Sequence, residues 1–167
     1  MLFRSTVTSG DTSVCTVSGS TLTLVSSGSC ALTAAQTGNA NYSAATSVVN
    51  TITISKATPS IGSMSNQTKT YGDASFTPTA PTVTYESASV AGSLAYSSSS
   101  SSVASVNSTS GAVTVAGAGS ATITASFTPS DTGKFNAAST TYAVSVAKST
   151  QSALDRKSTR LNSSHTV

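Results

Sequence analysis

Apolar and hydroxylated residues alternate along most of this chain. Leu22 and Leu24, Ile52 and Ile54, Val113 and Val115, and Val144 and Val146 are each separated by one Thr or Ser. A period of two puts alternate side chains on opposite faces of a strand, one face packed and one wet. Val, Ile and Thr suit such a half-buried pleated surface. Turn signals separate the runs: Ser18-Gly19, Gly38-Asn39, Tyr71-Gly72-Asp73, Ser110-Gly111 and Pro129-Ser130-Asp131. No window carries a helical period. From residue 57 onward, strands are predicted near Ile61, Phe76, Val83, Tyr96, Val103–Val106, Val113–Val115, Ala121–Phe127 and Tyr142–Val146. That number and spacing predict a β-sandwich. Phe76 and Phe135 are the expected aromatic plugs of its core, with a surface aromatic contact as the alternative. A disordered stalk is the rival for a chain this poor in large apolar residues, with a pure Ser run at Ser97–Ser102. Patterned rather than scattered apolar residues favour the sandwich.

The pattern recurs. Ser13-Val14-Cys15-Thr16-Val17 lies beside Ser102-Val103-Ala104-Ser105-Val106, and Gly28-Ser29-Cys30-Ala31-Leu32-Thr33-Ala34 beside Gly119-Ser120-Ala121-Thr122-Ile123-Thr124-Ala125. Tyr42-Ser43-Ala44-Ala45-Thr46 lies beside Phe135-Asn136-Ala137-Ala138-Ser139, and Ile52-Thr53-Ile54-Ser55-Lys56 beside Val144-Ser145-Val146-Ala147-Lys148. Lys56 and Lys148 are 92 positions apart, which sets the repeat length. The expected organisation is the back part of one repeat over 1–56, a complete repeat over 57–148, and the start of a third over 149–154. The fold class is all-β, tandem Ig-like sandwiches with the first one truncated. Lacking the strands equivalent to 57–93, the first repeat should leave half its core facing water and its strand edges open.

Charge narrows the functional classes. Only 8% of residues are charged, and the formal net charge is +3. Much of that excess sits in residues 155–167, where Arg156, Lys157 and Arg160 face Asp155 alone. Asp155 to His165 resembles, residue for residue, the in-frame translation of a common short-read sequencing adapter. Residues 155–167 are therefore expected to be an adapter-derived artefact. Without them the balance is close to neutral, and no basic cluster for nucleic acid exists. No apolar run is long enough to span a membrane as a helix. His165, the single His, belongs to the same tail, so no Ser-His-Asp or Cys-His arrangement is expected. Asp11, Asp73, Glu86 and Asp131 are far apart and form no metal or acid–base motif. No catalytic residues, cofactor or metal are assigned.

Several motifs resemble one family. Tyr71-Gly72-Asp73-Ala74-Ser75-Phe76-Thr77 is similar to the signature of bacterial tandem Ig-like repeats of the MBG, YG-x type. Ser102–Val106 with Gly117–Ala125 resembles the pattern shared with the related bacterial Ig-like group 2 domains, and Asn39–Ala45 resembles a further segment of the same repeats. The resemblance implies a non-catalytic spacer module of an exported bacterial surface or secreted protein, adhesin-like, located outside the cell with its export signal beyond this segment. Its implied partners are neighbouring Ig-like repeats, with glycan, mucin or a host surface protein as further candidates. A glycan- or mucin-binding module, or an accessory repeat of a secreted enzyme, is the alternative.

Two places merit separate attention. Cys15 and Cys30 have Ala104 and Ala121 as counterparts, so both Cys are replaced together. Paired replacement suits a disulfide, which would indicate an oxidising compartment; two separately buried thiols are the alternative. Tyr71, Gly72 and Asp73 form a candidate ligand loop, or simply a turn in which Gly supplies positive φ and Asp caps nearby amides.

Overall fold

A computed structural model describes residues 5–150, and the adapter-like residues 155–167 lie outside that range, as does most of 149–154. All fourteen described elements are strands: β1 (Thr6–Ser9), β2 (Cys15–Ser18), β3 (Thr21–Leu24), β4 (Gly28–Ala35), β5 (Val48–Ile54), β6 (Ser60–Ile61), β7 (Gln67–Thr70), β8 (Val83–Tyr85), β9 (Ala88–Ser89), β10 (Gly92–Ser98), β11 (Ala104–Val106), β12 (Val113–Val115), β13 (Gly119–Pro129) and β14 (Ala138–Ala147). The chain divides into two compact units. One holds the described residues up to Ser60 together with Val83–Ser93 and Phe127–Ala138; the other holds Ile61–Thr82, Leu94–Ser126 and the residues from Ser139 on.

In the first unit an antiparallel sheet runs β1-β4-β5, and β2 and β3 form a separate hairpin. Its core is small: Val14, Cys15 and Cys30 are buried, with Leu22, Leu32 and Ile54 packed around them. Apolar positions of β5 are left in water, Val48 at 66% and Val49 at 60% exposure, and Leu24 is exposed too. Val48 and Val49 are consecutive and so point to opposite faces, which leaves both faces of this end of β5 open to water. β8 and β9 form a tight hairpin whose two turn residues, Glu86 and Ser87, both have positive φ. That conformation matches the right-handed twist of the flanking strands.

The second unit has the fuller core. Its sheet order is β10-β13-β14-β7, with β14 and β7 parallel and Val144 opposite Gln67. Ala121, Ile123 and Ala125 of β13 alternate inward, as do Tyr142, Val144 and Val146 of β14. The hairpin of β11 and β12 adds Ala104 and Val113. Two sequence expectations change here. Phe76 lies in no strand: it makes a single bridge to Val113, exchanging two backbone bonds, while its ring packs against the core. The segment before it supplies β7, whose Gln-Thr-Lys-Thr carries no apolar alternation and hides the strand from pattern reading.

Candidate functional site

The hairpin of β2 and β3 brings its Cys to the inward face, and β4 brings the other from the sheet below. Cys15 and Cys30 are joined by a disulfide, with Cα atoms 5.9 Å apart and both residues fully buried. The Ser9 hydroxyl lies 3.0 Å from the Cys15 Sγ. The turn leading into this hairpin is held by Asp11. Its carbonyl accepts the Val14 and Cys15 amides, and its Oδ1 accepts the Ser13 amide at 2.9 Å and the Ser13 hydroxyl at 2.6 Å. These bonds, the hydroxyl foremost, hold the Asp11 carboxyl below its ordinary value.

Tyr71-Gly72-Asp73 is a tight turn following β7. The Thr70 amide donates to Asp73 Oδ2 at 2.8 Å, and the Asp73 amide donates back to the Thr70 carbonyl at 3.0 Å. Gly72 has φ 99°, which an L side chain resists. Asp73 is thus a turn cap. Tyr71 remains 53% exposed, at the edge of an open cavity of about 290 Å³ lined also by Gly117, Ala118, Lys148 and Ser149.

A third arrangement was read from the sequence as a turn, but its contacts were not. Asp131 Oδ1 accepts the Gly133 and Lys134 amides, each at 3.1 Å, and its carboxylate pairs with Lys134 at 3.2 Å. The Lys134 interaction leads the causes that lower the Asp131 pKa. The capped loop presents its backbone to Ser27, Ala57 and Thr58 of the same unit. The Ser27 amide donates to the Gly133 carbonyl at 3.0 Å, the Ala57 amide to the Lys134 carbonyl at 2.8 Å, and the Asn136 amide to the Ala57 carbonyl at 2.8 Å. Asn136 Nδ2 adds a bond to the Thr58 hydroxyl at 3.0 Å. Phe135, expected as a core plug, is half-buried against Tyr85, ring centroids 5.7 Å apart. The signal was present as Asp-x-Gly-Lys, an Asx-turn spacing, but nothing local says what such a turn will touch.

Among the described residues no group of three or more His, Cys, Asp or Glu comes together to hold a metal, and no helix long and apolar enough to cross a membrane is found. The Tyr142 hydroxyl is buried without a hydrogen-bond partner among the described residues, and burial raises its pKa, with Tyr96 adding to the shift.

Residues 82–128 match the family model described as "Intimin, immunoglobulin-like domain", a stretch well under half of the chain. Similar solved structures include Drosophila N-cadherin EC1-3, at 11% identity and TM-score 0.37, covering 88% of this chain and 56% of that one. Drosophila N-cadherin EC1-4 follows at 10% identity and TM-score 0.36, covering 87% and 42%. Human mucin-like protocadherin EC1-2 has 12% identity and TM-score 0.33, covering 87% and 85%. The chain therefore spans about half the length of the first two. No curated protein matches it. The strand architecture and the family match define an all-β, Ig-like sandwich protein.

Proposed function

We propose that this chain is a stretch of an extracellular stalk: Ig-like repeats, non-catalytic, in an exported bacterial surface or secreted protein of adhesin-like type. The repeats run over 1–56, 57–148 and from 149, and they are of the MBG, YG-x type. The observation that carries the reading is the Asp131 loop. With a repeat boundary at 57, its bonds to Ala57 and Thr58 fix the loop within the second repeat, and the bond from the Ser27 amide to the Gly133 carbonyl becomes the clamp between successive repeats. A spacer needs such a junction, because each repeat meets only its neighbours and a loose joint would collapse the stalk. The disulfide supports an oxidising compartment, outside the reducing cytosol.

The test is a mucin and glycan array probed with the oxidised full chain. A stalk gives no saturable binding. Saturable binding that disappears in Tyr71→Ala, with unchanged circular dichroism, replaces the stalk with a glycan- or mucin-binding module. A long read of the source locus addresses two further points. The adapter-derived reading of 155–167 requires that those codons vanish from the contiguous gene. A catalytic domain beside the repeats would make them an enzyme's accessory instead.

A further inference from the structure

The two repeats end in the same way, residue for residue. The Val25 and Ser26 amides both donate to the Val14 carbonyl, at 2.9 and 3.2 Å; the Ala116 and Gly117 amides both donate to the Val103 carbonyl, at 2.9 and 3.1 Å. Gly28 and Gly119 follow with φ 145° and 143°, each backed by the corresponding Val side chain. Lys56 and Lys148 close the last strands. Ser27 therefore corresponds to Ala118, and Ala57 to Ser149. At the first end these positions are filled: the Ser27 amide and both backbone groups of Ala57 bind the Asp131 loop. At the second end the Ala118 amide and the Ser149 amide and carbonyl have no backbone partner among the described residues. They flank the open cavity beside exposed Tyr71.

We propose that the Ala118 amide, at the far end of the repeat over 57–148, is a socket for one kind of occupant: the Asx-capped loop of the following Ig-like repeat that begins at Ser149, with the chemistry of Asp131–Asn136. That loop offers two carbonyls in succession and, two residues on, an amide. The Ala118 amide takes the first carbonyl across the junction, as Ser27 takes that of Gly133, while Ser149, the first residue of the following repeat, takes the second carbonyl and gives its own carbonyl to the amide, as Ala57 does. Tyr71 closes the apolar side of the cavity. The candidate ligand loop is thereby assigned to repeat-to-repeat docking, with no soluble ligand. Main-chain groups make all three bonds, so the socket reads the loop's backbone shape and tolerates sequence change around the Asx residue.

This inference rests on the stalk reading, and amide hydrogen exchange separates the two. In the full chain, the Ser27 amide should be protected and Ala118 should exchange freely; an unprotected Ser27 refutes the clamp and with it the stalk. In an extended chain, where Lys148 is followed by a second run of residues 57–148, exchange at Ala118 should slow about tenfold, the scale of one backbone hydrogen bond. Asp131→Ala in the added run alone should restore fast exchange at Ala118 while leaving Ser27 protected. Unchanged exchange at Ala118, or an added run that fails to fold there, overturns the socket even if Ser27 remains protected.

Discussion

The hairpin of β2 and β3 and the hairpin of β11 and β12 share register, the turn before their first strand and a supporting glycine, yet they close over different interiors. Cys15 faces Leu24 and Val17 faces Leu22; in the counterpart Ala104 faces Val115 and Val106 faces Val113. The Asp11 carbonyl caps Val14 and Cys15 where the Ser100 carbonyl caps Val103 and Ala104. The core that β11 and β12 close has nine buried residues, fully enclosed Ile123, Val113 and Val144 among them. The core that β2 and β3 close has only Val14 and the two Cys buried. A disulfide stands where apolar burial is thin, and two Ala stand where it is ample. A small core gains little from water exclusion, so restricting the unfolded chain covalently carries a larger share of stability.

The largest expected effect tests the ample core. Ile123→Ala should cost about 4 kcal/mol, as a full side chain leaves a closed interior. Ile52→Ala, at 37% exposure in β5, should cost less than about 1 kcal/mol. Urea unfolding of both variants measures this, and similar losses would break the contrast. Next comes the disulfide. The double change Cys15→Ala and Cys30→Ala copies the second hairpin's residues onto the first. With the two Cys 15 positions apart, it should cost about 3 kcal/mol, read as lost exchange protection in β2 to β4 while β11 to β14 stay protected. If the first hairpin keeps its protection, the bond is not what holds it.

Smaller effects sharpen the comparison. Tyr142→Phe removes a buried hydroxyl with no partner and should raise the stability of the larger core by about 1 kcal/mol in the same unfolding assay. Acid should separate the two hairpins most gently. Ser13 holds the folded Asp11 carboxyl below its ordinary value of 3.8, so folding favours the ionised form. That contribution is complete above 3.8 and fades as pH falls through the lower folded value. Ser100, at the equivalent turn, has no charge to lose. Amide exchange in β2 and β3 should therefore quicken at low pH before exchange in β11 and β12 does; equal acid sensitivity would deny Asp11 its part.

Much of the architecture was legible along the chain. Alternation located the strands around Leu22–Leu24, Ile52–Ile54, Val113–Val115 and Val144–Val146, because burying one face leaves a period of two in the sequence. The paired replacement of Cys15 and Cys30 by Ala104 and Ala121 pointed to the disulfide, because a cross-link needs both partners. β1 and β7 were not legible. Thr-Val-Thr-Ser and Gln-Thr-Lys-Thr carry little apolar signal, and their extended form follows from neighbours already in place to bond them. Phe135 was misread because an aromatic inside a repeat motif says nothing about which ring will meet it.

The residues alone determined the all-β sandwich class and most of the turns, and they pointed to the pairing of the two Cys. Each depends on side-chain chemistry at short range or on self-comparison. Only the tertiary structure decided that Ser27, Ala57 and the Asp131 loop meet, and that Ala118 and Ser149 present the same groups again. Those bonds run between backbone atoms, which every residue possesses, so no residue type marks where they will form.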